Sequence, residues 1–137
     1  MLTLSVTRLI PYAIRDNVWQ DAFAKELVDL WDERKLEGRI YTAWLYSVAV
    51  GFILVQEGCK DDTIRGTWVA TPYRQNKVGT YLMKHLLENQ KKPVIVNVTK
   101  GAEGFYELFK FQKIGHRDDF DMDVYLWTPQ GWLNQVK

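Results

Sequence analysis

Apolar and polar positions alternate at the start of the chain, Leu2, Leu4 and Val6 against Thr3, Ser5 and Thr7. A period of two predicts a half-buried strand, which Pro11 ends. Asn17-Val18-Trp19-Gln20 has the form of a capping box, so a helix is expected to open there. Behind it Trp19, Phe23, Leu27, Leu30 and Trp31 recur at helical spacing as one apolar stripe. The charged run Asp32-Glu33-Arg34-Lys35, and then Gly38, close that helix. Ile40 to Tyr46 and Val48 to Gln56 are rich in β-branched and aromatic residues, and predict two antiparallel strands turning near Tyr46-Ser47. Glu57 to Asp62 is a polar loop, and Thr63 to Thr71 another strand, stopped by Pro72. Lys77 to Gln90 is helical through Val78, Leu82, Met83, Leu86 and Leu87, with Pro93 barring continuation. Val94 to Val98 is the short apolar run of a strand buried on both faces. Ala102, Phe105, Tyr106 and Phe109 mark a short amphipathic helix, and Phe111 to Ile114 and Phe120 to Trp127 a closing pair of strands. The expected order is β-α-β-β-β-α-β-α-β-β, an α/β domain with a mixed sheet.

Composition narrows the class. A chain of 137 residues, 47% hydrophobic and 14% aromatic, is expected to fold as one domain over 1–137, with its core at about 2–127 and a short C-terminal tail. Eighteen basic against seventeen acidic residues leave a net charge of +1, no footprint for a nucleic-acid binder. Cys59 is alone, which excludes an internal disulfide. The longest apolar run, Val48 to Val55, is too short to cross a bilayer, and Met1 to Ser5 lack a signal-peptide pattern. A soluble cytoplasmic protein without a membrane partner is the expectation.

Candidate chemistry concentrates where the strand ending at Pro72 turns into the helix at Val78-Gly79. The first turn of a helix leaves backbone N–H groups unpaired at the positive end of the dipole, a ready anion site. Gly79 allows close approach to that backbone, and Arg74 and Lys77 add charge. Taken alone, such a junction is common, and Arg74 reads equally well as a solvated turn residue.

The run Val69-x-x-Pro72-x-Arg74-x-x-x-Val78-Gly79 resembles the acyl-CoA signature of the GNAT acetyltransferases, Arg/Gln-x-x-Gly-x-Gly/Ala. At the family's distance follows Ala102-x-x-Phe105-Tyr106-Glu107-x-x-Lys110-Phe111, similar to the helix that ends in Phe-Tyr-x-x-x-Gly-Phe. The resemblance implies a single-domain, mixed, mostly antiparallel sheet flanked by helices. It implies acetyl-CoA as co-substrate, a primary amine as acceptor and no metal. Backbone groups near Val69 and Ala70 would hold the pantetheine arm, and amides across Gln75, Asn76, Lys77, Val78, Gly79 and Thr80 the pyrophosphate. Tyr106 would protonate the leaving thiolate, with direct attack and no covalent enzyme intermediate. Members of the family often dimerise, so a homodimer is an open expectation.

Departures from the pattern put activity in question. Lys77 and Lys110 stand where the family has glycines, and Thr99 where it commonly has asparagine, seven residues before Tyr106. The central strand offers Arg65-Gly66-Thr67-Trp68 and no carboxylate for the family's general base. His116, Asp118 and Asp119, in the expected far loop, are candidates by chemistry alone, His116 having a suitable intrinsic pKa. Asp118, Asp119, Asp121 and Asp123 are a possible lure for a cationic acceptor, or simply a solvated turn. The rival reading is a non-catalytic GNAT-fold binding or structural protein that has lost its base. The acceptor is not written in the sequence.

Overall fold

Seven strands form one sheet, in the order β1-β2-β3-β4-β5-β7-β6, in a computed structural model that describes residues 1–17 and 21–129. They are β1 (Leu2–Thr7), β2 (Gly38–Leu45), β3 (Val48–Glu57), β4 (Asp62–Val69), β5 (Val94–Val98), β6 (Gln112–Arg117) and β7 (Met122–Trp127). All neighbouring pairs are antiparallel except β4 and β5. The helices are α1 (Tyr12–Asn17), α2 (Ala22–Glu33), α3 (Val78–Glu88) and α4 (Glu103–Leu108). Every strand and helix expected from the pattern is present, with shifted ends.

Two layers of core follow from the alternation of side chains across the sheet. On one face Val78, Leu82, Met83 and Leu86 of α3 pack with Ile53, Val55, Val96 and Tyr106. On the other, Ile14 of α1 and Ala24, Val28 and Trp31 of α2 pack with Phe52, Leu54 and Trp68. The buried face of α2 is therefore set by Ala24, Val28 and Trp31. Phe23 and Leu27, on the expected stripe, instead flank a cleft, Phe23 being exposed.

The helix α1 is an addition to the sequence reading. Pro11, read as a stop, stands just ahead of it as the N-cap residue, and its carbonyl accepts from the amides of Ile14 and Arg15. The expected capping box also fails at its first residue. Asn17 closes α1, while Val18, Trp19 and Gln20 lie outside the described residues. The cap of α2 is Asp21, whose carboxylate accepts from the amides of Phe23 and Ala24.

The sheet opens in its middle. The parallel ladder of β4 with β5 runs only from Asp62↔Val94 to Ile64↔Val96. At the next residue β4 carries a bulge: Leu54 faces Gly66 and Val55 faces Ile64, leaving Arg65 as the extra residue. A bulge bends its strand, and beyond it β4 stays on β3 while β5 continues beside β7. β5 is consequently buried on one face, with Ile95 and Asn97 only partly covered.

Candidate active site

The gap between the ends of β4 and β5 is the floor of a cleft of about 640 Å³. At one mouth stands the start of α3. Its first intrahelical bond runs from Tyr81 N to Lys77 O at 3.0 Å. The amides of Val78, Gly79 and Thr80 thus lack an acceptor within the helix, and no side chain caps the turn. Lys77, the residue before the helix, has φ +58° and ψ +31°. That is the left-handed conformation glycine adopts without cost, so the lysine at the family's glycine position keeps the glycine's backbone.

Gly79 lies between Val69 and Phe105. A Cβ there would meet Phe105 at 3.5 Å and Val69 at 3.8 Å, ordinary contacts, so a longer side chain would project into the mouth rather than break the fold. Arg74 donates from Nε to Val69 O at 3.1 Å, tying the turn to the end of β4. Val69, Arg74, Gln75, Lys77, Gly79 and Thr80 all border the cleft. Three expected coenzyme residues do not. Ala70 donates its amide to Val50 O at 2.8 Å and accepts from Tyr73 N at 2.8 Å, so its backbone belongs to the sheet and the turn. Asn76 is exposed, with its amide on Tyr73 O. The Val78 side chain is buried in the core beneath α3, leaving only its amide for a ligand.

Tyr106 closes the cleft midway. Its ring is 8% exposed and packs edge-on against Phe105 and Phe111. Burial pushes the phenol above its ordinary pKa, while the Thr67 hydroxyl on β4 draws it slightly back. That contact is loose, for Thr67 Oγ1 is buried without a hydrogen-bond partner of good geometry. α4 presents this tyrosine because its C-terminus is a Schellman turn. Phe111 N bonds Tyr106 O at 3.2 Å, Lys110 N bonds Glu107 O at 3.1 Å, and Lys110 sits at φ +72°. The second lysine at a family glycine position thus also keeps the left-handed backbone.

Beyond Tyr106 the cleft continues past Thr67 and Gly66 to Arg65, Phe23, Leu27 and Met122. Gly66 admits α2 to the sheet, since a Cβ there would lie 2.9 Å from both Leu27 methyls. No carboxylate and no imidazole borders the cleft among the described residues. His116, expected in a loop, is on β6, with Nδ1 2.7 Å from Asp123 Oδ1 and Nε2 3.4 Å from Asp121 Oδ1. The Asp123 carboxyl is held below its usual range chiefly by the His116 hydrogen bond. Asp119 pairs with Arg117 at 3.0 Å, so this acidic run is largely occupied with its own hairpin. One carboxylate does sit on β4, contrary to expectation: Asp62, at the closed end. It is 1% exposed and bound to Arg39 and Gln90, away from the cleft.

The model of the acetyltransferase (GNAT) domain matches residues 15–129. The chain belongs to the GNAT acetyltransferase family. Its fold is shared with solved structures of low sequence identity. Escherichia coli ElaA aligns at 20% identity and a TM-score of 0.71, covering 92% of this chain and 99% of that one. The Bacillus subtilis N-acetyltransferase YlbP, solved with coenzyme A, gives 15% and 0.69, with 93% and 98% covered. Arabidopsis thaliana Naa50, solved with a bisubstrate analogue of CoA and a peptide, gives 16% and 0.66, with 91% and 98% covered. No curated protein matches by sequence. Among the described residues of this GNAT domain, no helix is long and apolar enough to cross a membrane, and no cluster of ligands could hold a metal.

Proposed function

We propose that this GNAT domain transfers an acetyl group from acetyl-CoA to a primary amine by direct attack. The observation that carries the reading is the juxtaposition, in one cleft, of the uncapped start of α3, where Gly79 and Thr80 border the cleft, and the buried phenol of Tyr106. Acetyl-CoA fits this cleft by its chemistry, a diphosphate for the helix start and a slender arm for the gap between β4 and β5. It supplies an activated acyl group as a thioester.

The amides of Val78, Gly79 and Thr80, with Lys77 and Arg74 beside them, hold the negative charge. The acceptor nitrogen enters from the Phe23 and Leu27 side and attacks the thioester carbonyl. As the C–S bond breaks, the Tyr106 hydroxyl gives its proton to the departing sulfur. A phenol whose pKa is raised by burial is protonated throughout the neutral range, as a proton donor must be. The proton on the acetylated nitrogen goes to water in the open cleft, and water returns a proton to the Tyr106 phenolate, restoring the donor. With no carboxylate or imidazole in the wall among the described residues, the amine must arrive neutral, and His116 has no assigned part.

That same bare wall favours a second reading, a GNAT-fold binding protein without turnover. A thermal-shift titration with acetyl-CoA, repeated on Gly79→Glu, separates the cases. A ligand at a hundred times its Kd adds about 2.7 kcal/mol, several degrees in a small domain. A shift in the wild type that the variant loses, followed by thiol release with an amine, supports transfer. A shift without thiol release across an amine panel favours the binding protein, and no shift in the wild type overturns transfer from acetyl-CoA and favours the non-catalytic reading, turning the search toward protein partners.

A further inference from the structure

The far end of the cleft carries an uncompensated positive charge. Arg65, the extra residue of the β4 bulge, borders the cleft and donates from Nε to Gln56 Oε1 at 2.7 Å. A guanidinium has five N–H donors, and a neutral amide takes only one of Arg65's. No carboxylate pairs with it among the described residues. The charges that reach it are both positive, Arg34 at the C-cap of α2 and Arg117 at the end of β6. Arg117 is neutralised by Asp119 at 3.0 Å. The acidic residues of the neighbouring hairpin do not cancel the rest, since Asp123 lies on His116 and Lys113 and the Asp121 carboxylate faces His116. A planar fork left open at the edge of a cleft is the partner of a carboxylate.

We propose that Arg65 receives a carboxylate carried by the acceptor, so that the amine acetylated belongs to a small amino acid-like molecule rather than to a plain alkylamine or a polyamine. This rests on the transfer reading for the role of the bound amine, but not for the anion site itself. Thr67, beside Tyr106, lies two residues further along β4. Strand geometry therefore puts roughly 7 Å between the backbones of the two positions. The acceptor thus spans amine to carboxylate with a short carbon chain, its apolar middle against Phe23, Leu27 and Met122.

The test is calorimetry on the protein saturated with coenzyme A, which cannot react. The probes are β-alanine and its longer ω-amino homologues, each paired with the alkylamine that lacks the carboxylate. At least one acid is expected to bind about tenfold or more tighter than its amine, as for a charge-assisted pair. Arg65→Gln should bring that ratio close to one, and Arg65→Lys should keep part of it. Coenzyme A affinity, measured on each variant, reports whether the fold and the other end of the cleft are intact. Equal binding of acid and amine by the wild type overturns the proposal, as does a preference that survives Arg65→Gln. Loss of coenzyme A affinity in Arg65→Gln, with an unchanged melting temperature, overturns it too, by assigning the arginine to the coenzyme. Selective binding without product from acetyl-CoA supports the anion site and counts against transfer alone.

Discussion

Three lysines hold backbone conformations that glycine adopts freely, and two of them mark where the chain departs from its family's pattern. Lys35, Lys77 and Lys110 have φ of +52°, +58° and +72°. Lys35 and Lys110 end α2 and α4 in the same Schellman arrangement, with Leu36 N on Trp31 O and Phe111 N on Tyr106 O. A left-handed non-glycine residue costs about 1 kcal/mol or more, offset in part by the greater freedom glycine has when unfolded. Lys110→Gly is therefore expected to stabilise the domain by up to about 1 kcal/mol, read as a higher denaturation midpoint at unchanged slope. A lower midpoint would mean that the lysine side chain contributes contacts outweighing its strain. Tyr106→Phe keeps the edge-on packing with Phe105 and Phe111 and removes only the hydroxyl. If the phenol is the proton donor, kcat falls by about a hundredfold while acetyl-CoA affinity holds. An unchanged kcat removes Tyr106 from the chemistry. At this scale the sequence marked residues that the structure brings to one cleft, as with Tyr106 and Gly79. It could not show backbone pairing: Ala70, expected beside the pantetheine arm, has its amide on Val50 O in the sheet.

Among the elements, α2 shows how a cap sets register. Asp21 accepts from the first-turn amides and from Trp68 Nε1 at 3.0 Å, fastening the helix start to β4. The Trp68 hydrogen bond, with the two amides, holds its carboxyl below the usual range. A carboxylate whose pKa is lower folded than unfolded contributes stability above the unfolded value of about 3.9. That contribution disappears as pH falls through the folded value. Asp21→Ala should cost about 1 to 2 kcal/mol at neutral pH, and the gap to the wild type should close below about pH 4. Urea denaturation at pH 7 and pH 3 measures both, and a gap that does not narrow in acid would exclude the carboxylate as its source. The helix itself was legible from its period, but its start was not. Asn17 to Gln20 has a capping pattern, yet Asp21 is the residue with a tryptophan across from it. That partner is 47 positions away along the chain. Among the described side chains of the missed α1, Ile14 alone is buried, too little periodic signal to register in so short a helix.

In the molecule as a whole, β4 is clamped at one end so that it can diverge at the other. The sequence order implied a mixed sheet. What the pattern could not show is which residues hold the closed end. Asp62, read as part of a polar loop, is the first residue of β4, and its amide donates to Pro93 O just before β5. Its carboxylate accepts from Arg39 at 2.8 Å and Gln90 at 2.7 Å, and lies 3.3 Å from Lys92. These partners come from β2 and from the segment joining α3 to β5, so one buried carboxylate joins both halves of the sheet at the closed end of the short parallel ladder. Removing one partner of a buried ionic network leaves the others uncompensated, at about 3 to 5 kcal/mol. Asp62→Ala is expected to lose that much in chemical denaturation, a large part of the stability of a domain this size. Asp62→Asn, which retains one acceptor for Arg39 or Gln90, should lose less. Because the start of α3, which would take the diphosphate, lies at the opposite end of β4 from Asp62, the folded fraction of either variant should bind acetyl-CoA as the wild type does. A weakened affinity with intact folding would instead show that the clamp sets the width of the gap between β4 and β5.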